Sequence, residues 1–142
     1  MSDSPNVQLV KEYFARGDAG RADLLDLFDD NVELYFPKFG VGRGKAAFGE
    51  FVQGFLTAIK QIAHPMEGLR FWQVDDMVFV EGKTRGETVF GERWRGGETP
   101  GGRFASVIEV KNGLITRMNI YLDPDYVSAD TDRFLWGRDR TW

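Results

Sequence analysis

A single histidine is the only side chain of this sequence whose unperturbed pKa lies near neutrality. This residue, His64, stands directly before Pro65. Because an imidazole can both take and give a proton at neutral pH, His64 is a candidate general base, provided that it reaches the interior of the fold. The alternative is a histidine at a strand end or on the surface with no chemical role.

A short apolar run supplies two further candidates, Tyr35 and Glu33. A buried phenol can donate a hydrogen bond to a carbonyl or enolate oxygen, so Tyr35 is a candidate acid. Its alternative is a core tyrosine whose hydroxyl lies at the rim. Glu33 shares a strand face with Tyr35, and it could trade a proton only if buried. A solvated carboxylate at the strand edge is the simpler interpretation of Glu33.

Several aspartates follow the last predicted strand, namely Asp123, Asp125, Asp130 and Asp132. Their spacing lacks the glycine and the terminal glutamate of a calcium loop, so we predict no metal site. Asp123 precedes Pro124, and a bend there could bring its carboxylate to the mouth of an interior cavity. We therefore keep Asp123 as a third catalytic candidate. The sequence has no cysteine, which excludes disulfides and thiolate chemistry.

Three helices are predicted in the first part of the chain. Ser4 and Pro5 are typical of an N-cap and a first helical position, and this helix ends near Gly17. A second helix covers about Arg21 to Phe28 and is broken by Asp29-Asp30-Asn31. The third is predicted from apolar residues at three- and four-residue spacing, from Phe48 to Ile59.

Strands are predicted to follow the helices, after a first short strand at Val32–Phe36. They lie near Leu69–Val74 and Val78–Phe90, and a closing hairpin turns at Asn112-Gly113, a pair that tolerates the positive φ of a tight turn. Residues 92–102, rich in glycine and charge, are predicted to be a long exposed loop. A short helix is predicted around Thr131–Trp136. Because it is apolar, the C-terminal segment is expected to fold over the cavity mouth or onto a partner subunit.

Composition narrows the classes of function. The 142 residues fit one domain, 1–142, and the net charge of −4 with scattered basic residues argues against nucleic acid. The polar start and the lack of a long apolar run predict a soluble cytoplasmic protein without a membrane partner. Aromatic residues make up 14% of the chain, enough to line a cavity or an interface.

Many short matches together point to one family. They are Gly17-Asp18, Leu27–Val32, Phe36-Pro37, Gly42-Arg43-Gly44 and Phe79-Val80-Glu81. With the closing hairpin, the chain resembles the nuclear transport factor 2-like superfamily, in its SnoaL-like and ketosteroid-isomerase-like branch. The resemblance implies an α+β fold in which a cone-shaped, curved antiparallel or mixed sheet wraps around three N-terminal helices, a cystatin-like α+β barrel. Members include isomerases, epoxide hydrolases, cyclases and dehydratases, and also non-catalytic transport and scaffold proteins.

The acidic residues of two known chemistries of this family are missing. The carboxylate of ketosteroid isomerases corresponds to Tyr35, and the water-activating triad of limonene epoxide hydrolase-like members corresponds to Gly82, Thr84 and Ile120. The resemblance therefore implies an apolar cavity of about 300 Å³ or more, into which His64 and Tyr35 both point. We expect its ligand-binding residues to be Phe14, Phe51, Phe55, Thr84, Phe104, Ser106, Met118, Ile120 and Leu122.

From this pattern we predict a small-molecule-binding protein. It would isomerise, cyclise or dehydrate an apolar cyclic or carbonyl-containing compound by proton transfer, without a cofactor. The alternative is a non-catalytic ligand-binding or dimeric scaffold module of the same fold. The outward residues Trp72, Val107 and Tyr121 predict a homodimer through the outer sheet face.

Overall fold

The computed structural model describes residues 2–137 and 139–142. Within them the chain forms two α-helices, three 3₁₀ helices and nine strands. The helices are α1 (Pro5–Asp18) and α2 (Lys45–Leu56), and the 3₁₀ helices are Ala22–Leu27, Met66–Gly68 and Thr131–Arg133. The strands are β1 (Phe28–Phe36), β2 (Gly40–Arg43), β3 (Ile59–Ala63), β4 (Arg70–Val74), β5 (Met77–Lys83), β6 (Arg85–Thr88), β7 (Arg93–Arg95), β8 (Arg103–Lys111) and β9 (Leu114–Leu122).

Helix α1 begins where the sequence predicts. The Ser4 side chain accepts a hydrogen bond from the Val7 backbone N–H at 3.2 Å, which satisfies one of the free donors of the first turn. Pro5 follows at the first helical position. The helix buries Val7, Val10 and Phe14 against the sheet, so its inner face helps to enclose the core.

The strands form two sheets. Six strands lie in the order β2-β1-β9-β8-β5-β4, with β1 and β9 parallel and the other neighbours antiparallel, and the small sheet has the order β3-β6-β7. Asn112 and Gly113 both have positive φ, 52° and 75°, as a tight turn between β8 and β9 requires. The predicted α+β fold with helices packed inside a curved sheet is confirmed.

The two faces of the large sheet alternate along each strand. In β8, Phe104 and Ser106 are buried on the inner face, whereas Ala105 between them is exposed. Their cross-strand partners in β9 are Leu122 and Ile120. Phe104 and Ser106, both expected to bind the ligand, therefore lie on the inner face, because side chains two residues apart share a face.

Two predicted helix boundaries are wrong. The second helix is a 3₁₀ helix, and β1 already begins at Phe28, so residues 29–31 continue the strand instead of breaking a helix. The third helix ends at Leu56, and Ile59 begins β3, where it packs on Trp94 and Tyr126. In both places a buried aromatic or aliphatic side chain at the boundary belongs to a sheet, which residue spacing alone does not reveal.

The region predicted as one long strand and one long loop is also different. The chain leaves the large sheet at Thr84 and enters the small one, so the predicted strand is β5 followed by β6. The predicted loop contains β7, whose Trp94 is only 2% exposed. The Trp94 Nε1–H donates to the Thr84 hydroxyl at 2.9 Å, and that hydroxyl donates to the Gly102 carbonyl at 3.1 Å. These bonds hold the junction of the two sheets.

The C-terminal segment does not cover the cavity mouth. The predicted helix is a short 3₁₀ turn, Thr131–Arg133, and Leu135 and Trp136 beyond it are exposed. Instead, the Arg103 guanidinium donates to the Trp142 carbonyl at 2.7 Å. Among the described residues, none of the helices has the length and apolar character that crossing a bilayer requires.

Candidate functional site

A cavity of about 350 Å³ lies between the helices and the inner face of the large sheet. This volume falls at the lower end of the range of small-molecule sites, roughly 300–1,000 Å³. Most of its walls are apolar and aromatic. Seven of the nine residues that the sequence assigns to ligand binding line it, namely Phe14, Phe51, Phe55, Phe104, Ser106, Ile120 and Leu122.

The other two predicted ligand-binding residues, Thr84 and Met118, do not line the cavity. The Thr84 hydroxyl is engaged by Trp94 and Gly102 at the sheet junction. Met118 is fully buried in the packed core, where its strand neighbours are Leu34 and Ile108. Both side chains point inward, but the core is filled at their positions.

An acid–base pair stands in the cavity wall. His64, just after β3, and Asp18, the last residue of α1, both line the cavity. The imidazole Nδ1 lies 2.7 Å from Asp18 Oδ1, and the His64 backbone N–H donates to Asp18 Oδ2 at 2.6 Å. Both side chains are largely buried, with 19% of His64 and 24% of Asp18 exposed. Asp18 thus holds the backbone and the ring of His64 at once.

The position of Asp18 on its helix points to a role outside the helix. A carboxylate in the last turn meets the negative end of the helix dipole, which is unfavourable for the helix. His64 supplies two donors that offset this cost. The pairing joins α1 to the end of β3, two elements 46 residues apart in sequence.

The pairing also fixes which nitrogen can react. An ionised carboxylate only accepts hydrogen bonds, so Nδ1 carries the proton that faces Asp18, and Nε2 of the neutral ring is left as an acceptor. The ring is held between Phe14, at 5.0 Å between centroids, and Phe104, at 5.3 Å. The arrangement presents one oriented, basic nitrogen to an aromatic cavity.

Two phenols complete the polar groups of the wall. Tyr13 and Tyr126 line the cavity, and burial raises the pKa of each. The nearby Asp18 carboxylate raises the pKa of Tyr13 further. The raised pKa keeps both hydroxyls protonated at neutral pH. Neither hydroxyl has a hydrogen-bond partner in the residues that the structure describes, so each is a donor that a bound molecule can use. The Tyr126 ring packs against Trp94, with 4.6 Å between the ring centroids.

Tyr35 does not share this cavity with His64, contrary to the prediction. Its neighbours Leu34 and Phe36 are the buried residues of β1, so Tyr35 points to the outer face, where its ring lies 5.5 Å from that of Tyr121. Glu33 on the same face forms an ion pair with Arg43 at 2.7 Å.

Asp123 is likewise outside the cavity. It is exposed, its carboxylate accepts a hydrogen bond from the Asp125 backbone N–H at 2.9 Å, and it borders a separate groove beside the C-terminal segment. The chain therefore does not bend at Pro124 in the way that would bring this carboxylate to the mouth.

Asp18, Tyr13 and Tyr126 were missed by residue patterns. A carboxylate in the last helical turn, against the helix dipole, is a signal that could have singled out Asp18. Tyr13 lies on the same helix face as Val10 and Phe14, so it is indistinguishable from a core aromatic in sequence. Nothing in the sequence brings Tyr126 to the cavity, because its place depends on the missed strand β7.

Comparison with known proteins defines the class. The chain matches the SnoaL-like domain over residues 8–118. It belongs to the SnoaL-like domain family, and it shares its fold with nuclear transport factor 2-like proteins. No curated protein matches it.

Solved structures share the fold. A nuclear transport factor 2-like protein of unknown function from Burkholderia pseudomallei K96243 has a TM-score of 0.76 and 18% identity, over 89% of this chain and 100% of that one. TerC, co-crystallised with polyporic acid, has a TM-score of 0.72 and 22% identity, over 84% of this chain and 92% of its own. A protein of Pseudomonas putida KT2440, provisionally described as a polyketide cyclase, has a TM-score of 0.73 and 17% identity, over 88% of this chain and 97% of its own. At these identities the likeness shows the fold alone.

Proposed function

We propose that this protein binds a small, mostly apolar, cyclic molecule that carries a carbonyl group and moves a proton on the carbon beside that carbonyl. The observation that carries the proposal is the Asp18–His64 pair in the wall of an aromatic cavity. An imidazole that is oriented by a carboxylate and faces an apolar cavity is the arrangement that proton abstraction requires.

The chemical step follows from the groups in the wall. Nε2 of His64 takes the proton, and the electron pair of the broken C–H bond moves toward the carbonyl oxygen to form an enolate. The phenols of Tyr13 and Tyr126 are donors in the wall that can reach that oxygen, beside the Ser106 hydroxyl and the Arg21 guanidinium, and the Asp18 carboxylate balances the imidazolium charge. Where a carbon–carbon double bond is conjugated with the enolate, return of the proton to the far carbon of that bond shifts the double bond and completes an isomerisation. The step consumes no electrons and no co-reactant, so it needs no cofactor.

The class of ligand is supported by the walls and by the structural neighbours. Rings of phenylalanine on several sides favour a flat or cyclic apolar molecule, which buries more area against them than a polar chain would. TerC has been crystallised with polyporic acid, and two neighbours are provisionally described as polyketide cyclases. Steroids, terpenoids and aromatic polyketides are therefore the compounds to screen.

The test combines binding with isotope exchange. Compounds that raise the melting temperature are incubated with the protein in D₂O, and loss of the proton beside the carbonyl is followed by NMR. We expect exchange with the natural chain, a loss of about 10²-fold or more in His64→Ala, and no change in the matched outer-face variant Tyr35→Phe. Exchange that survives His64→Ala would contradict the proposal.

The non-catalytic alternative has its own outcome in the same experiment. If ligands bind to the natural chain and exchange does not exceed that of the ligand alone, the cavity is a binding site without a reaction. Asp18→Asn sharpens the distinction, because it keeps a side chain of similar size but removes the charge that supports the imidazolium.

We also propose a homodimer through the outer face of the large sheet. Trp72, Phe79 and Val107 lie in register across β4, β5 and β8, and Tyr121 on β9 faces the same way. Trp72 is half exposed, which is unusual for a large aromatic side chain on an unpaired sheet face. Sedimentation at micromolar concentration should give twice the 16.2 kDa chain mass, and a monomer there would contradict it.

A further inference from the structure

An apolar ridge borders the mouth of the cavity. It consists of Leu56, at the end of α2, and Val89 and Phe90, in the turn between β6 and β7. Leu56 lines the cavity and is itself 56% exposed. The Val89 backbone N–H donates to the Ala58 carbonyl at 2.9 Å, which ties the turn to the chain just after Leu56. Leu56 therefore belongs to both the ridge and the cavity wall, and the turn with Val89 and Phe90 is anchored two residues beyond it.

The turn holds Phe90 away from the protein. The Thr88 hydroxyl accepts hydrogen bonds from the backbone N–H groups of Phe90 and Glu92, each at 3.2 Å. Gly91 supplies the positive φ of 83° and donates to the Thr88 carbonyl at 3.1 Å. Phe90 is 85% exposed on this ordered turn. A phenylalanine fixed in that position gains most from a surface that lies outside the chain.

Cations surround the ridge on the outer face of the small sheet. Arg85 and Arg95 lie directly opposite each other in β6 and β7, a pairing of like charges that an outside anion would relieve. Lys60 and Arg93 lie nearer the ridge and form ion pairs with the buried Glu87 at 3.0 and 2.9 Å.

Two exposed carboxylates oppose these cations. Glu98 lies 3.6 Å from Arg95, and Glu92 lies in the turn itself. The four cations on this face and its edge outnumber the three carboxylates, Glu87, Glu92 and Glu98, although the whole chain carries −4. The small sheet is thus a locally positive surface with an apolar tip.

We propose that the ridge docks on an anionic lipid surface and that the cavity takes up its apolar ligand from there. Phe90, Val89 and Leu56 enter the interfacial layer, and the basic face meets the headgroups. A lipid surface is favoured over an acidic protein because the ridge leads into an apolar cavity, whose ligand concentrates in lipid. Docking of this kind needs no helix that spans the bilayer.

The delivery step and the choice of a lipid surface over an acidic protein rest on the proposed function. Docking itself is measured without any ligand, by co-sedimentation of the full chain with vesicles. The vesicles are phosphatidylcholine alone, or phosphatidylcholine with about one third phosphatidylserine. We expect binding to the anionic vesicles, weaker binding to the neutral ones, and loss of the difference at high salt.

Three variants test the residues that carry the docking. Phe90→Ser should lower the partition coefficient about fivefold or more, and the double variant Arg85→Gln/Arg95→Gln about tenfold, whereas Glu92→Gln should raise it severalfold. The cations that pair with Glu87 are left in place, since removing them would strand a buried carboxylate. Leu135→Ser and Arg133→Gln are the matched controls, exposed residues of the same kind in the C-terminal segment.

The outcomes separate docking from ligand binding. Absence of vesicle binding, or equal losses in the variants and the controls, overturns the proposal, and an acidic protein would then be the partner to seek. Ligand binding is tested separately, by the ligand-induced rise in melting temperature of Phe90→Ser in lipid-free buffer. If that rise is kept while the docking test fails, the docking proposal is wrong and the proposed function stands.

Discussion

The inner and outer faces of the large sheet are made from alternate residues of the same strands, yet they are suited to different tasks. On the inner face, Phe104 and Ser106 border a cavity that contains an oriented histidine. On the outer face, Trp72 and Tyr121 are about half exposed. The Tyr121 ring lies beside that of Tyr35, and its hydroxyl accepts a hydrogen bond from the Asn119 amide at 3.3 Å. A one-residue step along a strand thus separates the cavity wall from the sheet surface that we propose as the dimer interface.

The largest expected effect is the difference in stability between a carboxylate on the inner face and one on the outer face, placed at two neighbouring positions of β5. Val78 is fully buried, and Phe79 beside it is partly exposed on the outer face. Val78→Asp buries an unpaired carboxylate, so its free energy of unfolding should fall by about 4 kcal/mol or more, or the chain should fail to fold. Phe79→Asp should cost the folded monomer about 1 kcal/mol or less, apart from any weakening of the proposed dimer. Urea denaturation of both variants checks this, and equal losses would erase the distinction between the faces.

The proposed dimer interface on the outer face can be disrupted by a substitution that does not alter the cavity. Trp72→Glu places a charge in the proposed dimer interface, where it would be desolvated, so the dissociation constant should rise about 10²-fold or more. Analytical ultracentrifugation measures the change. Phe90→Glu is the control, because it adds the same charge at an exposed aromatic position of the small sheet and should leave the dimer unchanged. A dimer that survives Trp72→Glu would move the interface elsewhere.

The third expected effect is on the outer face of the small sheet. Hydrogen bonds from Lys60 and then Arg93 lower the pKa of the Glu87 carboxyl. A lowered pKa in the folded state means that the carboxylate stabilises the fold above the ordinary carboxyl range, and that this contribution is lost as the pH falls through the folded-state pKa. The natural chain should therefore exceed Glu87→Gln in stability at pH 7, with a gap that narrows on acidification.

Urea midpoints of both chains across the acidic range measure that gap. A gap that stays constant with pH would show that the ion pairs of Glu87 add nothing beyond its hydrogen bonds. The effect is the smallest of the three, because the cations that pair with Glu87 are themselves exposed.

Alternation along strands accounts for much of what the sequence could predict. The family resemblance set which residues of β8 and β9 face inward, and alternation along the strands then assigned Phe104, Ser106, Ile120 and Leu122 to the cavity side. The same alternation in β1 puts Leu34 and Phe36 inside and Tyr35 outside. Family resemblance outweighed that local signal, and the assignment of Tyr35 to the cavity was wrong.

Contacts between distant elements account for what the sequence could not predict. The bond between Asp18 and His64 joins residues 46 positions apart, and no periodicity encodes it. Trp94 lies in a stretch of glycines and charges that is typical of a loop, and only its packing on Tyr126 and its bond to Thr84 make β7 a strand. The local residue pattern predicts which face of a strand a side chain lies on. Which polar groups come into contact depends on how distant elements pack together.

The most direct test of the central claim is the nitrogen spectrum of the imidazole. Because His64 is the only histidine, its two ring nitrogens can be observed by ¹⁵N NMR without ambiguity. At about pH 8, above the ordinary imidazole range, we predict a proton on Nδ1 and none on Nε2, and a shift of the Nε2 resonance when a cavity ligand is added. A proton on Nε2 in the free protein, or an Nε2 resonance that a saturating ligand does not move, would contradict the assignment of His64 as the base of this site.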